Sequence, residues 1–152
     1  DRAKETLFNI LGNKIDFNGI NCLDLFCGTG NLGLESLSRG AGKCSFVDKD
    51  VKLVQRNIEK LGASDNSSVF KADAIDFLER NNQTFFDIIF CDPPYDYIDY
   101  TGLIEKVKLY KTLLILEHSD KFKADVEFQK FILLSKKIGT VNFTLFDFKN
   151  IK

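Results

Sequence analysis

The chain has 152 residues, 44% of them hydrophobic, which fits one folded domain around a single core. Its 21 basic and 22 acidic residues leave a formal net charge of −1, so it lacks the overall basic excess of many nucleic-acid binders, although a local patch can hide in a neutral total. No run of about 18 apolar residues occurs and no charged-then-apolar leader precedes the first helix, so neither a membrane span nor a secretory signal is expected and the expected location is the cytoplasm.

In chain order, Arg2 to Leu11 carries Leu7, Phe8, Ile10 and Leu11 at helical spacing, with Gly12 placed to end the helix in a left-handed conformation. Asn21 to Phe26 reads as a short strand. Asn31 to Arg39 reads as a helix closed by Gly40. Lys43 to Asp48 is a second strand, and Val51 to Leu61 a helix closed by Gly62. Ser68 to Lys71 is a third strand, followed by a helix from Ala74 to Arg80. Phe85 to Cys91 is the most apolar strand, and Tyr100 to Lys108 a further helix. Thr112 to Glu117 is the next strand, and Phe128 to Lys137 with Thr140 to Phe148 read as a hairpin turning at Gly139. Strand–helix repetition predicts an α/β fold: a doubly wound, mostly parallel Rossmann-like sheet of about seven strands, closed by an antiparallel pair. One domain over residues 1–152 is expected. The chain opens on Asp1 and contains no Met, so a segment preceding residue 1 in the whole protein is expected.

The four cysteines Cys22, Cys27, Cys44 and Cys91 show no C-x-x-C spacing, and His118 is the sole histidine; no metal site is expected. The cysteines instead read as small buried hydrophobes in a reducing compartment. Lys14, Lys106, Lys108 and Lys111 could form a basic patch, but a solvated surface is the better reading of them.

Ligands of doubly wound sheets bind beyond the carboxyl ends of the strands. Here Gly28, Gly30 and Gly33 satisfy G-x-G-x-x-G between a strand and a helix, a pattern that would also suit a nicotinamide dinucleotide. Asp24, four residues earlier, would repel a pyrophosphate and attract a ligand bearing an ammonium group, which favours S-adenosylmethionine; alternatively it caps the loop through backbone N–H groups. Asp48 stands 20 residues past Gly28, where a carboxylate can accept both ribose hydroxyls, while Asp50 reads as a helix cap. Asp73-Ala74 follows the third strand; Asp73 could accept an adenine amino group or cap the next helix.

The fourth strand end is Asp92-Pro93-Pro94-Tyr95. Two prolines supply carbonyls without N–H groups, so the loop presents acceptors, the Asp92 carboxylate and the Pro93 carbonyl. Two acceptors hold both hydrogens of an exocyclic amine and aim its lone pair, and Tyr95 offers a face for a planar base. A sulfonium methyl needs no strong base, so catalysis reduces to positioning. Asp92, Pro93, Pro94 and Tyr95 are therefore the expected catalytic residues.

The segments Asp1 to Leu11, Asp24 to Gly42, Phe46 to Asp50 and Phe90 to Tyr95, with Leu114 to His118, together resemble class I S-adenosylmethionine-dependent methyltransferases, and more narrowly the bacterial RsmD-like family that methylates a guanine N2 in 16S ribosomal RNA. The resemblance implies S-adenosylmethionine as cofactor, with Asp24, Phe26, Gly28, Thr29, Gly30, Asp48, Lys49, Asp73 and Ala74 as its contacts, and allows Arg2 and Glu5 to line the same pocket. It implies ribosomal RNA or the small-subunit particle as partner of a monomer, no membrane, and a basic N-terminal strand pair ahead of residue 1. An adenine-N6 DNA methyltransferase or a protein-glutamine methyltransferase would use the same loop, and a non-catalytic cofactor-binding domain is a further reading.

Overall fold

Seven short apolar runs pair into one sheet: Asn21–Leu25 (β1), Lys43–Asp48 (β2), Ser67–Lys71 (β3), Ile88–Cys91 (β4), Leu113–His118 (β5), Ile132–Ile138 (β6) and Val141–Asp147 (β7). Their order is β3-β2-β1-β4-β5-β7-β6, parallel from β3 to β5 and antiparallel for β5–β7 and β7–β6. The structure, a computed structural model, describes residues 1–150.

Six helices cover the sheet: Arg2–Gly12 (α1), Asn31–Ser38 (α2), Lys52–Lys60 (α3), Ala74–Arg80 (α4), Tyr100–Lys108 (α5) and Val126–Gln129 (α6). Alternate strand residues point to opposite faces, so two apolar cores form. Cys22, Phe46, Phe90 and Ile115 pack with Leu7, Phe8 and Leu11 of α1 and with Val54 and Ile58 of α3. Leu23, Val47, Ile89 and Leu114 face the other way, onto Phe77 and Leu78 of α4 and Leu103, Ile104 and Val107 of α5. The result is the three-layer, mostly parallel sheet that the alternation of strands and helices predicts.

Several boundaries differ from expectation, each for a local reason. Gly12 is the last residue of α1, and the cap, Asn13, is right-handed (φ −84°), so the expected left-handed end at Gly12 is not used. Phe85 to Asp87 lie outside β4. The Asn21 amide N–H donates to the Asp87 carboxylate (2.8 Å) and the Asn21 side chain donates to the Phe85 carbonyl (2.9 Å), so side-chain bonds tie this stretch to β1 beside one backbone bond, from the Asp87 N–H to the Asn21 carbonyl (2.8 Å). Phe128 belongs to α6, where it is buried against the second core, and the strand starts only at Ile132. Asp50 does cap α3, but from one residue further out: its Oδ1 accepts the Lys52 N–H at 3.0 Å while Val51 occupies the cap position.

The chain runs from β1 outward to β3, then crosses back to β4 beside β1. Strand order therefore reverses between β1 and β4, and the loops leaving these two strands part to form a crevice.

Candidate active site

The β1–α2 loop is shaped by three left-handed residues, Phe26 (φ 56°), Gly28 (φ 53°) and Gly30 (φ 81°). Glycine adopts this conformation freely, whereas at Phe26 it costs roughly 1–3 kcal/mol that the surroundings must offset. Gly30 also lies so close to α3 that an added Cβ would stand 2.5 Å from Val54 Cγ2. Two carboxylates brace the loop from beneath. Asp24, buried at the end of β1, accepts the Gly33 N–H at 2.9 Å through Oδ2. Asp48, at the end of β2, accepts the Gly28 N–H at 2.8 Å through Oδ2 and its neighbour Lys49 N–H at 2.7 Å through Oδ1. Burial pushes the Asp24 carboxyl up to about 8, against the pull of the Gly33 amide and with help from the Asp92 and Asp48 charges.

Three depressions open along the carboxyl ends of the strands. A cavity of about 270 Å³ is floored by Asp24 and walled by Phe26, Gly28, Thr29, Asp92 and Glu117, with Lys4 of α1 at its rim. Beside it, a slot of about 130 Å³ runs between Phe26, Tyr97 and Pro94 on one side and Asp48, Lys49, Asp73 and Ala74 on the other. A third cavity of about 370 Å³ is lined by Asp92, Pro93, Tyr95, Tyr100, Glu117 and Lys121. Phe26 joins the first two, its ring set edge-on to Tyr97 with centroids 5.4 Å apart.

The Asp92–Tyr95 loop separates the first cavity from the third. Pro93 is buried, the Pro94 carbonyl accepts the Tyr97 N–H at 2.9 Å to close the turn, and the Tyr95 ring is 83% exposed over the third cavity. Asp92 lies beside Glu117 of β5, and both line the first and third cavities. Burial raises both carboxyls, and Glu117 is pushed up to about 8 by burial together with the facing Asp92.

The structure thus brings Asp24, Phe26, Gly28, Thr29, Asp48, Lys49, Asp73, Ala74 and Asp92 to one crevice. Gly30 shapes the loop as the residue before α2 and is not a cavity wall, and Pro94 faces the slot instead of the third cavity. Asp73 also caps α4, its Oδ1 accepting from Ile75 (2.9 Å) and Asp76 (3.1 Å), while Oδ2 stands 3.8 Å from Lys49 Nζ. Asp24 and Asp73 thus take the backbone-capping role that one sequence reading gave each, and both also line the crevice. Arg2 and Glu5 are exposed and do not line the pocket; α1 instead presents Asp1, Ala3 and Lys4, with Lys4 Nζ held by Asn31 at 2.8 Å. Lys14, Lys106, Lys108 and Lys111 precede β1 and β5, at the opposite edge of the sheet, and form no patch at the crevice. Sequence reasoning passed over Glu117, Tyr97 and Tyr100. The available signal for Glu117 was a carboxylate ending an apolar parallel strand.

His118 is structural: Nδ1 meets the Ser119 carbonyl (3.0 Å) and Nε2 the Thr144 hydroxyl (2.8 Å), and burial lowers its basicity. All four cysteines are buried with thiols raised by desolvation. Among the described residues no cluster of three or more His, Cys, Asp or Glu could hold a metal, and no helix is long and apolar enough to cross a membrane.

Comparison with known proteins gives concordant results. The family described as "Conserved hypothetical protein 95" matches residues 1–147. Ribosomal RNA small subunit methyltransferase D of Haemophilus influenzae is 35% identical over 156 aligned residues, covering 96% of this chain and 80% of that protein. The Escherichia coli protein of the same name is 39% identical over 108 residues, 70% of this chain and 51% of that one. Among solved structures, Escherichia coli yhhF, described provisionally as a methyltransferase, superimposes with a TM-score of 0.80 at 28% identity, covering 97% of this chain and 84% of that chain.

Proposed function

Since this chain belongs to the family of conserved hypothetical protein 95, we propose that it is a ribosomal RNA methyltransferase that uses S-adenosylmethionine and places the methyl group on an exocyclic amino nitrogen, namely guanine N2 of 16S ribosomal RNA. The relatives named as small-subunit ribosomal RNA methyltransferases support the substrate class. The observation that carries the chemistry is the position of Asp92: it lies on the boundary between the cavity floored by Asp24 and the cavity faced by Tyr95.

The residues present suit the cofactor. Asp24 offers a carboxyl for its ammonium group at the floor of the first cavity, below the Gly28–Thr29 backbone. Asp48 stands between that cavity and the slot, where ribose hydroxyls can meet a carboxylate. The slot, walled by Phe26, Ala74 and Tyr97, matches a flat purine, with Lys49 and Asp73 at its polar edge. Bound there, S-adenosylmethionine supplies an electrophilic methyl group whose C–S bond breaks with its electron pair left on sulfur.

The chain's own residues do the positioning. The Asp92 carboxylate accepts one amino N–H and the Pro93 carbonyl the other, so the nitrogen lone pair faces the methyl carbon. Tyr95 covers one face of a base turned out of its stack. As the N–C bond forms, the surplus amino proton passes to Asp92 and from there to water.

The test is tritiated methyl transfer onto naked 16S RNA, small-subunit particles and DNA, followed by nucleoside analysis. Label in N2-methylguanine of ribosomal RNA is expected. Label confined to N6-methyladenine in DNA, or no transfer to any acceptor, refutes the proposal.

A further inference from the structure

Parallel pairing of β4 with β5 sets Cys91 opposite Leu116, which puts the next residues, Asp92 and Glu117, side by side at the strand ends. Among the described residues, only Asp92, Glu117 and Val141 line both the cavity floored by Asp24 and the cavity faced by Tyr95, and of these three the two carboxyl residues are polar. Glu117 thus stands beside Asp92 where the two cavities meet.

We propose that Glu117 reads the acceptor base, its carbonyl oxygen accepting the ring N1–H of guanine while Asp92 accepts from the adjacent amino group. This rests on the guanine-N2 reading and adds a specificity determinant to it. Guanine presents N1–H and the amino group next to each other on one edge. Two adjacent acceptors fit that edge. Set beside Asp92 at the junction of the two cavities, Glu117 can turn one carboxyl oxygen toward Asp92 and keep the other as an acceptor for the base. Adenine and its analogues carry a lone pair at N1, which would face that oxygen and be rejected.

The experiment compares guanine with 2-aminopurine, which keeps the amino group at the same position but has a bare N1. The acceptor guanine is first mapped with the wild-type protein. 16S RNA carrying either base at that position is then supplied, naked or reconstituted into particles as the wild type requires. The wild type is expected to prefer guanine at least about tenfold in kcat/KM, the scale of one buried hydrogen bond. Glu117→Gln, whose NH2 can donate to Asp92 while its carbonyl faces N1, keeps that preference although its absolute rate falls. Glu117→Leu lowers the preference to within about twofold. The O6 that 2-aminopurine also lacks is missing for all three proteins, so differences between them report on the N1 edge.

Equal use of both RNAs by the wild type, an undiminished preference in Glu117→Leu, or its loss in Glu117→Gln overturns the role of Glu117. Should Glu117→Leu not fold, Glu117→Ala takes its place, with the same loss of preference expected and an undiminished preference overturning the role. Failure of the wild type to methylate any guanine refutes the functional reading itself, a result distinct from indifferent use of the two bases.

Discussion

The Asp48 carboxylate receives the Gly28 amide at 2.8 Å, tying the end of the second strand to the glycine loop that leaves the first. One side chain thus shapes the loop and, in the proposed function, meets the ribose. Asp48→Asn keeps one acceptor oxygen but loses the charge. It is expected to weaken S-adenosylhomocysteine binding by about 10- to 100-fold, the range for a lost charged hydrogen bond of about 1.5–3 kcal/mol, while the fold survives. Calorimetry showing unchanged affinity would remove Asp48 from the ribose site.

Asp92→Ala separates holding the cofactor from transferring its methyl group. Asp24 and Asp48 are untouched, so S-adenosylhomocysteine affinity should stay within a few-fold of wild type. Methyl transfer should drop roughly 10²-fold or more, as expected when the acceptor nitrogen is no longer aligned. Wild-type turnover in single-turnover assays would exclude the positioning role.

Gly33 and Gly12 should respond in opposite directions to alanine. A Cβ on Gly33 would press into the Phe46 ring and lie 2.6 Å from Cys44 Sγ, in the core beneath α2. Overpacking of this kind costs about 1–3 kcal/mol, so Gly33→Ala should lower Tm by roughly 2–12 °C. Gly12 is helical with nothing within 4 Å of the added atom, and Gly12→Ala should stabilise by about 0.5–1 kcal/mol. Scanning calorimetry of the two variants checks both signs.

The raised carboxyls at the strand ends make stability depend on pH. Glu117 moves from 4.5 when unfolded to about 8 when folded, and Asp24 from 3.8 to about 8. Between those values the native state holds protons that the unfolded chain has released, so stability falls as pH rises from about 4 to 8 and levels off above. Burial first, and then the facing Asp92, sets this range for Glu117; burial, with the Asp92 and Asp48 charges, sets it for Asp24. Glu117→Gln removes one titration. Since Glu117 is partly exposed, solvent screening limits the effect, and the variant should gain roughly 2–4 °C in Tm over wild type at pH 8 and little at pH 4.5. Parallel Tm–pH curves for the two proteins would contradict it.

Local pattern made much of this fold legible. β2 and α4 have the bounds that their apolar spacing predicts, because each is a continuous run between a polar or glycine start and stop. Where distant residues intervene, the pattern misleads. The Asn21 contacts at the late start of β4 come from 64 to 66 residues away, and Phe128 looks like a strand residue until the second core claims it for a short helix. The same holds at the site. Asp24, Asp48, Asp73 and Asp92 are each visible as an acidic residue after an apolar run. Glu117 gains meaning only once β5 is known to lie against β4, a pairing no local spacing reveals. The dual work of Asp24 and Asp73, each bracing backbone amides while facing the crevice, is equally a matter of geometry.

The C-terminal hairpin bears on when the site can exist at all. Val141 and Phe143, from the strand that inserts between β5 and β6, wall the same cavity as Asp24 and Asp92. Ribosomes deliver that strand after every other part of the crevice has been made. A nascent chain halted before β7 would have its glycine loop and its Asp92 turn in hand but an open wall and an unpaired β5 edge. The crevice is therefore complete only once β7 has been made, and trimming the chain back past Val141 should cost the crevice and the sheet together.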